Sequence, residues 1–190
     1  EMIQPAGAGV QWPQDRTKDP MTRRLLNKRL EKRLAPDWET AKGEWAPLKA
    51  FFMECGLDGN EAYAMAMTAS ELMENAIKYG TWTRADDVLT LTVEVSPRAV
   101  VVEVENPAVD DPASVRRLDD RIQWMRGFQS PFQAYVERLK QVSSQSYQEG
   151  ESGLGLCRIA YEARCLLDFY VTGTGRLAMS AVYQLGASLS

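Results

Sequence analysis

Two neighbouring segments with a hydrophobic period of two constrain the fold of this chain most strongly. Val88–Val95 and Ala99–Glu105 are rich in valine and alternate with threonine or glutamate, and only Ser96-Pro97-Arg98 separates them. Alternation of this kind is typical of strands that bury one face, and so short a connection joins strands that run antiparallel. The sequence therefore predicts an antiparallel hairpin, around which the rest of the chain must pack.

Segments with helical spacing flank this hairpin. Before it we predict helices over 21–34, 39–55 and 60–78, and after it helices over 109–127, 131–142 and 153–164. Two more strands, 166–172 and 177–185, end the pattern. This order predicts an α+β fold, a two-layer sandwich in which a mainly antiparallel sheet carries helices on one face.

The 190 residues are enough for one domain. Residues 1–18 contain prolines and glycines without an apolar period, so we expect a flexible N-terminal arm followed by a single domain over 19–190. The helix predicted over 21–34 starts at Asp19-Pro20 and carries leucines at helical spacing beside many basic residues. Its basic face fits a solvated surface and also a docking surface for an acidic partner.

The absence of histidine from the whole chain excludes several classes of chemistry. It excludes Ser-His-Asp and Cys-His catalysis, metal ligation by histidine and a phosphohistidine relay within this chain. The net charge of −4 argues against a nucleic-acid binder. The sequence contains no run of about 18 apolar residues, which a membrane-spanning helix would need. The cysteines Cys55, Cys157 and Cys165 lack metal-site spacing, so we expect reduced thiols in a cytoplasmic protein.

The end of the helix predicted over 60–78 carries a group of polar residues. Glu71 and Asn75 are four residues apart and project from the same face, with Lys78 on the next turn. The amide oxygen of Asn75 suits Mg²⁺, which binds together with substrate phosphates. Glu71 is placed to take a proton from an attacking hydroxyl, and Lys78 to neutralise phosphate charge. The same spacing also fits an ordinary polar helix face.

Two other segments have a polar or glycine-rich character. Gly150–Leu156 precedes a predicted helix, and its glycines let backbone N–H groups approach phosphate oxygens. Such turns are common, and this one is neither a Walker loop nor a Rossmann fingerprint. The second hairpin strand ends at Glu105-Asn106-Pro107, where a polar side chain either reads the edge of a base or simply ends the strand.

Taken together and in this order, the three segments resemble the GHKL (histidine kinase-like) ATPase superfamily. An E-x-x-x-N-A-x-K-Y-G helix is followed by a strand with a polar end, a helical insertion, and S-G-L-G-L at the start of a helix. The resemblance covers roughly residues 40–185. It implies the Bergerat/GHKL ATPase fold with a helical lid over 107–150, and ATP and Mg²⁺ as cofactors.

The resemblance also implies a role for individual residues. Glu71 would be the catalytic base, Asn75 the Mg²⁺ ligand and Lys78 a phosphate contact. Tyr79 would lie beside the nucleotide, and Asn106 would accept a hydrogen bond from the adenine amino group. The lid hinge and phosphate cradle would be formed by Gly153, Leu154, Gly155 and Leu156.

The chain departs from the family pattern at three places. The Asp-x-Gly-x-Gly box appears as Asn106-Pro107-Ala108-Val109-Asp110, without the charged acceptor and without either glycine. Because a charge-assisted hydrogen bond is about twice as strong as a neutral one, we expect weaker adenine binding. Glu151 stands where a glycine is usual, and Gly175-Arg176 stands where Gly-Thr is common.

Within the superfamily, the size and the Glu71/Asn75 pair resemble the anti-sigma-factor serine kinases more than the histidine kinases. The insertion, with Arg121-Ile-Gln-Trp124 and Phe132-Gln-Ala-Tyr135, is similar to that of bacterial serine kinases acting on STAS-type partners. This implies transfer of the ATP γ-phosphoryl group to a serine of a STAS-domain or sigma-factor-like partner. The alternative is a degenerate module that regulates such a partner by binding alone. We expect neither a nucleic acid nor a membrane as partner, and the oligomeric state, a homodimer included, stays open.

Overall fold

A computed structural model of the chain describes residues 25–107, 112–144 and 153–185. Several sequence predictions fall outside these residues. They are the N-terminal arm over 1–18, the beginning of the helix predicted over 21–34, residues 108–111 and 145–150 of the insertion, and Glu151 in the glycine-rich segment.

The described part of the chain contains five strands and five helices. In chain order they are β1 (Lys28–Leu34), α1 (Trp38–Glu54), α2 (Gly59–Tyr79), β2 (Leu89–Val95), β3 (Ala99–Pro107), α3 (Pro112–Arg126), α4 (Pro131–Ser144), α5 (Leu154–Tyr161), β4 (Leu166–Val171) and β5 (Arg176–Gln184). These elements confirm the α+β class and the two-layer sandwich. No described helix is both long and apolar enough to cross a membrane.

The five strands form one antiparallel sheet in the order β1-β2-β3-β5-β4. The predicted hairpin is confirmed, because β2 and β3 pair directly with Val93 opposite Val102. Buried residues alternate with more exposed ones along both strands. Helix α2 packs on β2 and β3 and adds Leu72 and Met73 to the core, so the helix with the predicted catalytic group lies over the central strands.

The helix predicted over 21–34 is wrong where the structure describes it. Residues 28–34 form the edge strand β1, which pairs with β2 and places Leu30 opposite Val93. Leucines four residues apart lie on one face of a helix, and they also lie on one face of a strand. Their spacing therefore does not distinguish a helix from a strand. The charges of this segment suit an edge strand, since charged side chains discourage pairing with another sheet. Arg29, for example, forms an exposed ion pair with Glu94 of β2.

Both ends of helix α2 are set by local contacts. At its start the Asp58 carboxylate accepts from the N–H of Glu61, and the Glu61 carboxylate accepts from the N–H of Asp58, which forms a capping box. At its end, a Cβ on Gly80 would lie 2.6 Å from the carbonyl oxygen of Ala76. A glycine is therefore required where the helix ends, directly before the chain turns toward the hairpin.

The two helices predicted within the insertion are present as α3 and α4. Helix α4 packs against α5, where the ring of Tyr135 stacks on that of Tyr161. Arg126, at the end of α3, donates to the backbone carbonyl of Leu167 in the edge strand β4. The insertion is therefore joined to the domain at α5 and at β4; its function as a lid stays a prediction.

Candidate functional site

A cavity of about 130 Å³ lies between helix α2, the sheet, helix α3 and the start of helix α5. Five residues predicted from the sequence are among those that line it: Asn75, Tyr79, Asn106, Gly153 and Leu156. The other four predicted residues lie outside the lining: Glu71, Lys78, Leu154 and Gly155. The fold thus brings three separate segments of the sequence to one cavity.

The walls of this cavity are mostly apolar. They include Leu72 of α2, Val104 of β3 and Met179 of β5, and α3 closes one side with Val115 and Leu118. Apolar walls with a few polar groups are typical of small-molecule sites, although such pockets usually measure about 300–1,000 Å³. This cavity is smaller than that range.

The two asparagines in the cavity use their side-chain nitrogens on the backbone. Asn75 Nδ2 donates to the carbonyl oxygen of Glu71 at 2.8 Å, and Asn106 Nδ2 donates to that of Pro107 at 3.0 Å. In both side chains the remaining polar atom is an oxygen, which accepts hydrogen bonds or binds a hard cation. Asn106 is only 4% exposed, so its oxygen is an acceptor in apolar surroundings. The oxygen of Asn106 can therefore accept a hydrogen bond from an amino group, and that of Asn75 can bind a hard cation.

Arginines from the insertion converge on the start of α5. Arg121 Nη1 lies 3.5 Å from the carbonyl oxygen of Gly153, to which it donates, and Arg117 lines the same cavity. Gly153 precedes α5 with φ of +53°, and a Cβ there would lie 2.2 Å from Arg121 Nη1 and 3.1 Å from Arg138 Nη2. Positive charge beside a helix N-terminus favours an anion, so this end of the cavity fits phosphate groups.

Glu71 lies one turn before Asn75 but faces α5 and not the cavity. Its Oε1 accepts from Arg158 Nη1 at 2.7 Å, and its Oε2 would lie 2.2 Å from a Cβ on Gly155. Burial raises the pKa of the Glu71 carboxyl, and the neighbouring Arg158 lowers it in part. The predicted base is therefore held between α2 and α5, beside the predicted glycine segment.

Lys78 and Leu154 lie at the margin of the site. The Lys78 ammonium is 5.0 Å from the centre of the Tyr79 ring, at the exposed end of α2. Tyr79 itself lines the cavity. Leu154 is half-buried and begins α5. Lys78 thus lies next to the cavity, with its charge over a ring that forms part of the wall.

The sequence motifs do not include Arg117, Arg138 or Arg158, and Arg121 is part only of the insertion motif. A signal for one pair was present, because Arg117 and Arg121 are four residues apart in a predicted helix and share a face. No local pattern indicates that Arg158 meets Glu71, which lies 87 positions earlier. That contact depends on the packing of α5 against α2.

Arg176, which stands where the GHKL pattern commonly has threonine, forms contacts within the sheet. Its guanidinium pairs with the Glu105 carboxylate and donates to the carbonyl oxygens of Val88 at 2.9 Å and of Glu105 at 3.2 Å. These bonds tie the start of β5 to the hairpin at the strand ends that carry Asn106. This departure from the GHKL pattern therefore supports the wall of the cavity.

A second cavity, of about 510 Å³, lies between the α3–α4 turn and the edge strand β4. It contains none of the predicted site residues; Arg126 and Asp168 line it together with Cys165. Burial raises the pKa of the Cys165 thiol to about 12. All three cysteines are buried and free of disulfides, so this cavity offers an un-ionised thiol.

No protein-family model matches the sequence, and a search of curated proteins finds no similar one. The structure is similar to one chain in the crystal structure of the SiaB-SiaC complex from Pseudomonas aeruginosa, with a TM-score of 0.58 and 17% sequence identity. The match covers 86% of this chain and 92% of that chain. At this identity the likeness shows a shared fold. The GHKL resemblance stays a prediction from the motifs.

Proposed function

We propose that this chain binds ATP·Mg²⁺ in the cavity beside α2 and transfers the γ-phosphoryl group to a serine of a STAS-like partner. The observation that carries the proposal is the meeting of Asn75, Asn106 and Gly153 around one cavity. Asn75 lies in α2, Asn106 in β3 and Gly153 directly before α5, and each is assigned to a different part of the same ligand.

Each part of the ligand has matching groups. The adenine ring fits the apolar walls, with the oxygen of Asn106 as acceptor for its amino group. The oxygen of Asn75 suits the magnesium ion, which binds few protein groups and keeps several waters. The phosphates fit the start of α5 at Gly153, where Arg121 adds positive charge.

Bound ATP supplies an activated phosphoryl group, whose charge Mg²⁺ neutralises. Glu71 accepts the proton from the attacking serine hydroxyl, a contribution typically worth about 10²–10⁴ in rate. Glu71 lies one helical turn before Asn75 and beside Gly155 at the start of α5, the end of the cavity that fits phosphate, which supports its assignment as the base. Burial of the carboxyl raises its pKa, which makes it a better proton acceptor once ionised.

A protein partner is supported by the comparison with a solved structure. The similar chain was crystallised within a complex of two proteins, SiaB and SiaC. We propose a partner of the same general kind for this chain, a STAS-like or sigma-factor-like protein whose interactions change on phosphorylation.

A second candidate function is regulation by binding alone. The cavity volume of about 130 Å³ favours it, because this is smaller than typical ligand pockets of about 300–1,000 Å³. The uncharged Asn106 favours it too, since a neutral acceptor binds the adenine amino group less strongly than a carboxylate. In this case the chain holds its partner without transferring phosphate.

Two measurements separate the candidates. Calorimetric titration with ATP, with and without Mg²⁺, should show magnesium-dependent binding. Incubation of the chain with γ-labelled ATP and proteins captured on it from a lysate should then label a serine on the partner. Binding of ATP without labelling of any captured protein would favour the second candidate. A lack of ATP binding at millimolar concentration would overturn the proposed cofactor.

A further inference from the structure

Arg158 of helix α5 joins two carboxylates from different elements. Its Nη1 donates to Glu71 of α2 at 2.7 Å, while Nε and Nη2 lie 3.3 and 3.4 Å from the Glu162 oxygens, one turn along its own helix. The guanidinium therefore binds two different parts of the fold. Its Nε and Nη2 hold the arginine to Glu162 at the end of α5, and its Nη1 binds Glu71 of α2.

The contact with Glu71 is partly shielded from solvent. The Glu71 side chain is 18% exposed and that of Arg158 is 35% exposed. A charge-assisted hydrogen bond in such a position is stronger than one at the surface, and its planar donor group fixes direction as well as distance. Arg158 thus holds the Glu71 carboxylate in one orientation.

Gly155 provides the space for this arrangement. A Cβ at Gly155 would lie 2.2 Å from Glu71 Oε2 and 3.1 Å from the carboxylate carbon. Only a residue without a side chain lets the carboxylate lie this close to the first turn of α5. One oxygen is thereby directed to Arg158 and the other to the start of α5, where the proposed phosphate end of the cavity begins.

We infer that Arg158 is a positioning residue for Glu71: it holds one carboxylate oxygen so that the other faces the start of α5. This inference rests on the proposed function, in which Glu71 is the base. Arg158 itself touches neither nucleotide nor acceptor in this account. Its effect is geometric, and a displacement of about 1 Å in a reacting group costs on the order of 10²-fold in rate.

The test compares three variants in phosphate release from ATP·Mg²⁺ to water, with nucleotide affinity measured in parallel. Arg158→Gln should lower kcat by about 10- to 100-fold and leave ATP affinity nearly unchanged. Arg158→Lys should recover part of the rate, because it keeps a donor cation but loses the fork. Arg29→Gln is the matched control: it removes the 2.9 Å ion pair with Glu94 at the far edge of the sheet, and its rate should stay within about two-fold of wild type.

A double variant separates positioning from a purely structural role. In the Glu71→Ala background, Arg158→Gln should cause no further loss, because the group that it positions is already absent. A further loss in that background, an Arg158→Gln variant as active as wild type, or one more active than wild type would each overturn the inference. If Arg158→Gln fails to fold, Arg158→Lys in both backgrounds carries the same comparison. A wild type that binds ATP·Mg²⁺ but neither releases phosphate nor labels a captured partner would instead overturn the transfer step of the proposed function, and the positioning role with it.

Discussion

The guanidinium of Arg121 lies so close to Gly153 that a Cβ on this glycine would be 2.2 Å from Nη1. Helix α3 thereby contacts the residue directly before α5. Gly153 also has a φ of +53°, a backbone conformation that costs a residue with a side chain about 1–2 kcal/mol. The backbone conformation therefore favours glycine at this position, and a side chain there would also displace the flexible end of Arg121 at the end of the cavity that fits phosphate.

Gly153→Ala should destabilise the domain by about 1–3 kcal/mol and weaken ATP binding, because both the backbone and Arg121 must move. Urea unfolding and calorimetric titration measure the two effects. Gly173→Ala is the control: a Cβ there has no atom within 4 Å, so stability should change by less than about 0.5 kcal/mol. Equal stability of the two alanine variants would contradict the strain at Gly153.

Asn75→Ala should remove the magnesium dependence of ATP binding without unfolding the domain. The Asn75 side chain supplies the one oxygen that we assign to the ion. Its removal breaks only the hydrogen bond from Nδ2 to the carbonyl oxygen of Glu71, so the domain should stay folded. Affinity measured with and without Mg²⁺ checks this, with Asn60→Ala at the exposed start of α2 as the control. Wild-type affinity that is the same with and without Mg²⁺ would exclude Asn75 as a ligand.

Glu71→Ala should keep ATP binding within a few-fold and lose nearly all phosphoryl transfer, about 10²-fold or more, since general-base assistance is lost. Glu74→Ala should cost little, because this variant keeps the Glu71 carboxylate and its bond to Arg158. Transfer from γ-labelled ATP to a captured partner or to water is the measurement. A Glu71→Ala variant with wild-type transfer would place the base at another residue.

Helix α3 should gain protection from hydrogen exchange when ATP is added. It closes the small cavity with Val115 and Leu118, so it must open to admit a nucleotide and then close over it. The paired strands β2 and β3 are the internal reference. Protection of α3 equal to that of these strands, and unchanged by ATP, would contradict its role as a lid.

Cys165 should resist iodoacetamide at pH 8 in the folded chain and react after unfolding in urea. Burial raises its pKa from 9.0 to about 12, so almost no thiolate exists in the native state at pH 8. The raised native pKa also means that this group stabilises the fold below pH 9.0, and that the free energy of unfolding falls as the pH rises from there toward 12. Mass spectrometry of labelled peptides checks the reactivity, and rapid labelling without urea would show that the thiol is accessible.

The sequence determined the elements whose signal is local. The valine-rich hairpin, the capped helix α2 and the helices of the insertion follow from periodicity, caps and short turns, and the structure has them within a few residues of their predicted bounds. The edge strand β1 was mistaken for a helix, because leucines at a spacing of four satisfy both periods. Pairing with β2 decides between them, and that pairing joins residues far apart in the chain.

The candidate site divides in the same way. The motif order indicated Asn75, Asn106 and Gly153, and the fold brings them to one cavity. The arginines that surround them were not indicated, since Arg158 meets Glu71 only when α5 packs on α2, and Arg121 meets Gly153 only when α3 lies over the start of α5. A charged side chain has no local period that reveals its partner. Its partner is set by which helices pack together, and the tertiary structure alone decides that packing.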